Sequence, residues 1–128
     1  MYFCFMKELN KELMAGSLAP MILLILNRQE SYGYEIIQQI TNKSGGKLNI
    51  AEGTLYPVLK KMEEKEWLKS HWKRIDGGRA RKYYVLTDKG QNELDQQMSQ
   101  WNFINNIIDK LCSPQNATLM KQSVITLI

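Results

Sequence analysis

The sequence predicts a mainly α fold with a small β-hairpin, closed by one long C-terminal helix. Three observations predict it. Apolar residues recur at helical spacing in three separate segments before residue 65. The period then changes to two on both sides of Asp76-Gly77-Gly78, a turn sequence. From Asp88 to Leu111 one long helical run follows, with a broad apolar stripe from Leu94 onward.

The first helix spans about Ser17 to Asn27, with Ser17 as its cap and a shorter helical piece from Leu9 to Met14 before it. Pro20 suits a first turn, where its missing N–H is not needed. Leu18, Met21, Ile22, Ile25 and Leu26 make its broad core face. A second helix runs from Tyr32 to about Lys43, capped by Ser31, with Ile36, Ile37 and Ile40 inward. Gly33 costs helix propensity there, which points to a close approach of something to its backbone. Ser44-Gly45-Gly46 ends that helix. The third helix starts near Gly53 and carries Leu55, Val58, Leu59 and Met62 on one face. Thr54, Tyr56, Lys60 and Lys61 lie on the other.

From Trp67 onward Leu68, Ser70 and Trp72 alternate with Lys69, His71 and Lys73. Arg81 to Leu86 is the returning strand, rich in aromatic and β-branched residues. Trp67 and Trp72 are expected to pack at the junction of helix and hairpin, and His71 to be solvated. Three short helices followed by a hairpin describe a winged helix–turn–helix. Thr87 then caps the long helix, with Asp88 at its positive end. Leu94, Met98, Trp101, Ile104, Asn105, Ile108 and Leu111 form its stripe, and the expected cover is the same helix of a second chain; the alternative is that the helix packs back on its own domain. Residues 1–87 are thus expected to be a winged helix–turn–helix domain with a helical extension. Residues 88–112 form a dimerisation helix, and 113–128 a weakly patterned tail.

Charge narrows the function. Of the chain's 17 basic residues, nine lie between Lys60 and Lys82, beside four acids. That stretch carries +5 and the remainder of the chain −1, within a net charge of +4. A charge concentrated like that suggests a polyanion partner, which for a winged helix–turn–helix is double-stranded DNA; a merely solvated surface is the alternative. Cys4 and Cys112 stand far apart with no metal-ligand spacing, so no cofactor, metal or disulfide framework is expected, and a reducing cytoplasm is. The apolar start is too short for a signal peptide, and Met6 is an alternative start to Met1. No nucleophile–base pair or phosphate-binding glycine loop suggests an enzyme.

The fragments SLAPMILLIL, SYGYEI, EGTLYPVLKKMEEKEWL and GGRARKYYVLTDKG, in this order, resemble the PadR-like transcriptional regulators. The short C-terminal segment and SQWNFINNIIDKL resemble the small subfamily that includes the lactococcal multidrug-sensing repressor. The resemblance implies a homodimeric repressor on an inverted-repeat operator, with the last helix making the dimer. It also implies a pore at the dimer interface that holds planar aromatic compounds between paired tryptophans. Trp101 stands at the matching place, and Leu13, Gly16 and Pro20 match the pore lining. Asn105 stands where the drug sensor has a carboxylate, and Gly16 and Pro20 alter the pore wall.

Residue by residue, base contacts are expected from Glu52, Thr54, Tyr56 and Lys60 at the exposed start of the third helix. Tyr56 has a second reading, packing against the hairpin. Phosphate contacts are expected from Tyr32, Gly33, Tyr34, Lys61 and Lys73, with a core position as the rival for Tyr34. Arg79 and Arg81 of the wing enter the minor groove or clamp phosphates, and Gly77 and Gly78 let the tip lie close. For Trp101 the rival is plain dimer core. The competing function is a winged-helix adaptor that binds protein and no DNA; salt-dependent duplex binding separates the two.

Overall fold

The computed structural model describes residues 10–112 of the 128. The expectations about the chain start and the tail from residue 113 lie outside them. In order the elements are α1 (Lys11–Arg28), β1 (Ser31–Tyr32), α2 (Gly33–Lys43), α3 (Glu52–Glu64), β2 (Leu68–Arg74), β3 (Ala80–Leu86) and α4 (Asp88–Leu111). This is the mainly α fold with a hairpin wing and a long last helix.

α1 starts six residues earlier than the sequence suggested. Asn10 is its cap: the side-chain oxygen accepts from the N–H groups of Glu12 at 2.8 Å and Leu13 at 3.2 Å. Ser17 is not a cap; its hydroxyl donates back to the Leu13 carbonyl inside the helix. Pro20 sits in mid-helix, not in the first turn. The carbonyl it leaves without an intrahelical donor is that of Gly16, which is exposed to solvent.

The second departure is β1. Ser31 does not cap α2 but pairs with Tyr84, and Tyr32 pairs with Tyr83, in a sheet of order β1-β3-β2. Ser31 is fully buried and its hydroxyl donates to the Gln29 carbonyl at 3.4 Å. α2 therefore begins from the extended backbone of Tyr32 with no side-chain cap.

α2 and α3 end alike. At α2 the Gly46 N–H reaches the Thr41 carbonyl and the Gly45 N–H that of Asn42, at 2.8 and 3.1 Å. At α3 Trp67 N–H reaches Met62 and Glu66 N–H reaches Glu63, at 3.0 and 2.9 Å. Both are Schellman closures, which need a left-handed residue. Gly45 supplies it at φ 66° in the first, and Glu66 at φ 65° in the second.

The core gathers Leu18, Ile22, Leu23 and Leu26 of α1, Ile36 and Ile40 of α2, and Leu55, Leu59 and Met62 of α3. Leu68, Tyr83, Tyr84 and Leu94 close it. β2 and β3 pair from Leu68↔Leu86 to Arg74↔Ala80. From His71 to Arg81 every residue is exposed, so the distal hairpin projects beyond the core. Asp76 and Gly77 take the positive φ of its turn, at 51° and 68°.

Thr87 caps α4, its Oγ1 accepting from Gly90 N–H at 2.9 Å. The same hydroxyl lies 2.7 Å from the Glu66 carbonyl oxygen and 3.0 Å from that of Trp67. The first compact unit runs through Asp95, into α4; the described residues from Gln96 to Cys112 belong to a second. In that second unit Phe103, Ile104, Ile107, Ile108 and Leu111 are exposed apolar side chains.

Candidate nucleic-acid interface

α3 opens with no side-chain cap, and its first turns carry Glu52, Thr54 and Tyr56, all exposed. Lys60 and Lys61 follow on the open side of the helix, also exposed. Uncapped N–H groups at a helix start favour an anion there.

Tyr56 leans over the start of α2. A Cβ built on Gly33 would overlap the Tyr56 ring, 2.7 Å from Cζ and 2.9 Å from Cε1. This is the close approach the glycine implied: the third helix's own tyrosine lies against the Gly33 backbone. Tyr34, on the next position, is 53% exposed, which removes the core reading.

Arg81 is held by aromatic packing. Its guanidinium lies 4.4 Å from the Tyr32 ring centre, and Tyr32 meets Tyr83 edge-on at 5.3 Å. Tyr32, Gly33, Tyr34, Tyr56, Trp72, Ala80, Arg81 and Lys82 line one open hollow of about 350 Å³ between α2, α3 and the hairpin. Five of the sequence-predicted contact residues therefore share one surface. Trp72 joins them unexpectedly. It is 69% exposed and does not pack at the junction, because the helices cover the sheet only as far as Ser70. At the wing tip Ile75, Gly78, Arg79 and Arg81 line a second hollow of about 410 Å³.

Lys73 is engaged elsewhere. Its Nζ lies 4.9 Å from the Tyr83 ring centre and 3.5 Å from Glu30 Oε2. His71 is not merely solvated: its Nε2 meets Glu30 Oε1 at 2.6 Å, and its ring stacks on Tyr83 at 6.0 Å. The hydrogen bond from His71 lowers the Glu30 carboxyl below its ordinary value, with the Lys73 charge adding to it against some desolvation. These contacts tie β2 to the loop after α1. Lys82 meets Glu63 at 3.7 Å, and Glu63 also takes the Ser70 hydroxyl at 2.5 Å. Burial raises the Tyr84 phenol above its usual range, with the Glu63 carboxylate adding, so it stays neutral. Lys60, Lys61, Arg74 and Arg79 form no ion pair among the described residues.

The residues matched to a ligand pore fall on two elements. Leu13 and Gly16 are exposed on α1, and Pro20 is buried there. Trp101 is half-buried and Asn105 exposed, both on the second unit. Of the expected dimer stripe, Leu94 is 3% exposed and lies in its own subunit's core. Met98 and Trp101 are half-buried; Ile104, Asn105, Ile108 and Leu111 are exposed. Phe103 and Ile107, absent from the sequence reading, widen the apolar surface; helical phase beside Ile104 and Ile108 was the signal for them. Among the described residues no helix is long and apolar enough to cross a membrane, and no cluster of three metal-binding side chains occurs.

Comparison with known proteins gives a consistent answer. The model of the Transcriptional regulator PadR-like family matches residues 22–96. Uncharacterized protein X of Lysinibacillus sphaericus is 33% identical over 100 residues, covering 78% of this chain and 92% of that protein. Among solved structures, a transcriptional regulator from Clostridium thermocellum superposes with a TM-score of 0.73 at 28% identity, over 80% of this chain and all of that one. A PadR family transcription regulator from hypervirulent Clostridium difficile gives 0.66 at 35% identity, over 73% of this chain and 95% of that one.

Proposed function

Because this chain belongs to the PadR-like family of transcriptional regulators, we propose that it is a homodimeric repressor that binds an inverted-repeat DNA operator. The observation that carries this reading is the shared surface of α2, α3 and the hairpin, where exposed Tyr34 and Tyr56 stand beside Arg81. In this reading the DNA-binding part ends at residue 87, and residues 88–112 pair two copies.

The start of α3 enters the major groove. Glu52 accepts from a cytosine amine, the Thr54 methyl packs on thymine, and Tyr56 and Lys60 reach neighbouring edges. Tyr32, Tyr34, Lys61 and the Gly33 backbone meet phosphates. Lys73, still half-exposed although paired with Glu30, meets a phosphate as well. Gly78, Arg79 and Arg81 hold the sugar–phosphate wall or the minor groove.

The dimer forms through α4. Its exposed apolar side chains (Ile104, Ile108 and Leu111, with Phe103 and Ile107) leave a surface that a second copy covers. Met98 and Trp101 extend it, and Asn105 sets register. Leu94 serves the subunit core instead.

Relief of repression follows from the multidrug-sensing resemblance. A planar aromatic compound lodges between two copies of Trp101, near Asn105, with Leu13, Gly16 and Pro20 of α1 as the wall. It acts by binding the DNA-incompetent arrangement more tightly. Titrating tryptophan fluorescence with planar aromatic compounds tests this: Trp101→Ala abolishes the response. Equal binding by that variant refutes the platform. Duplex binding whose affinity falls steeply with salt supports the regulator, and its absence supports the adaptor.

A further inference from the structure

We propose that Trp72 is a contact to the DNA backbone, its indole face against a deoxyribose and its N–H donated to a phosphate oxygen. The inference rests on the regulator reading and adds a residue to its surface. Strand alternation puts Trp72 on the same face as Leu68 and Ser70. Leu68 is 2% exposed and Trp72 is 69% exposed. The core therefore ends before it, and no packing role accounts for an indole at this place. With Tyr34 and Tyr56, both exposed and lining the same hollow, the indole makes a contiguous aromatic patch, and such a patch marks an interaction surface where a single exposed ring would not.

The surroundings select the partner. Trp72 stands opposite Lys82 in the hairpin register and shares its hollow with Tyr34, Tyr56 and Arg81. Glu63 is paired with Lys82 and bonded to Ser70, so its charge is already met. The indole offers one donor and no acceptor. A phosphate oxygen is an acceptor only, and the sugar beside it presents an apolar edge. A single N–H cannot make the bidentate contact by which side chains tell one base edge from another. The hollow adjoins Tyr56 of α3, so its occupant is continuous with DNA held by that helix.

Binding of the full chain to a generic duplex, measured at graded salt, tests the assignment, because a backbone contact is independent of sequence. Trp72→Ala is expected to bind on the order of tenfold more weakly, the loss typical of a hydrogen bond to a charged group. Its salt slope stays that of wild type, since no cation is removed. Trp72→Phe, which keeps a ring without the N–H, falls between. Arg81→Ala, by contrast, lowers the slope by about one. Trp72→Ala binding as tightly as wild type overturns the inference and leaves the regulator reading standing. A slope change like that of Arg81→Ala overturns it too, since Trp72 would then act by placing the arginine. Failure of wild type to bind at any salt overturns both. Because Trp72 is exposed, unchanged thermal melting of both variants is expected.

Discussion

Replacing Gly90 with alanine should loosen the joint between the hairpin unit and α4. A Cβ there overlaps the Trp67 carbonyl oxygen and lies 2.7 Å from Leu86 Cδ1 and 3.0 Å from the Trp67 carbonyl carbon. That carbonyl cannot swing aside freely. It accepts the Thr87 N–H at 3.0 Å and lies 3.0 Å from the Thr87 hydroxyl that caps α4. Alanine in place of glycine ordinarily favours a helix by up to about 1 kcal/mol. Forcing atoms into a filled space costs about 1–3 kcal/mol. With backbone as the obstacle the cost sits at the upper end, and the net loss is about 1–2 kcal/mol. A fall of roughly 4–10 °C in melting temperature follows for a chain of this size. Thermal unfolding followed by circular dichroism measures it. Gly16→Ala is the control: it lies in α1 with nothing within 4 Å, and should melt higher by a gain of about 0.5–1 kcal/mol. Gly90→Ala melting at or above wild type would refute the steric account.

Glu66→Gly should stabilise, by about 0.5–1 kcal/mol, because it relieves a left-handed residue and loses only an exposed contact to Lys89 at 3.9 Å; denaturant titration reads it. The Glu30 carboxyl is held low by His71 and Lys73, so its contribution is present above the ordinary value of 4.5 and is lost as pH falls through the lowered one. The melting-temperature gap between wild type and Glu30→Gln should therefore close in acid below pH 4.5; a gap that widens there contradicts the assigned contact. Charges placed on the α4 surface by Ile104→Glu with Ile108→Glu should give a monomer in analytical ultracentrifugation where wild type sediments as a dimer. An unchanged mass would exclude that face from the dimer.

The regular elements were legible because their periods are long enough to count. α4 runs from Asp88 to Leu111 behind the Thr87 cap, as that cap and the recurring apolar positions from Leu94 suggested. The turn at Asp76 and Gly77 followed from residue type. What escaped were features with no period. β1 is two residues long, and Ser31 looks like a cap until its pairing with Tyr84 is seen. Asn10 and Ser17 are both good caps by type, and Pro20 argued wrongly for the later one. Alternation placed Trp72 on the inner face but could not say where the helices stop covering it. Gly33 signalled a close neighbour without naming Tyr56. The clustering of Tyr32, Tyr34, Tyr56 and Arg81 depends on contacts between elements far apart in sequence, which no local pattern records.

In the proposed reading α3 and the hairpin together grip duplex DNA. The most direct test is the affinity for DNA upstream of the protein's own gene, measured at graded salt for wild type and for Arg79→Ala with Arg81→Ala. Tight binding is expected, its logarithm falling linearly with the logarithm of salt concentration, with a slope smaller by about two in the variant. Binding that is indifferent to salt, or a variant with an unchanged slope, would contradict it.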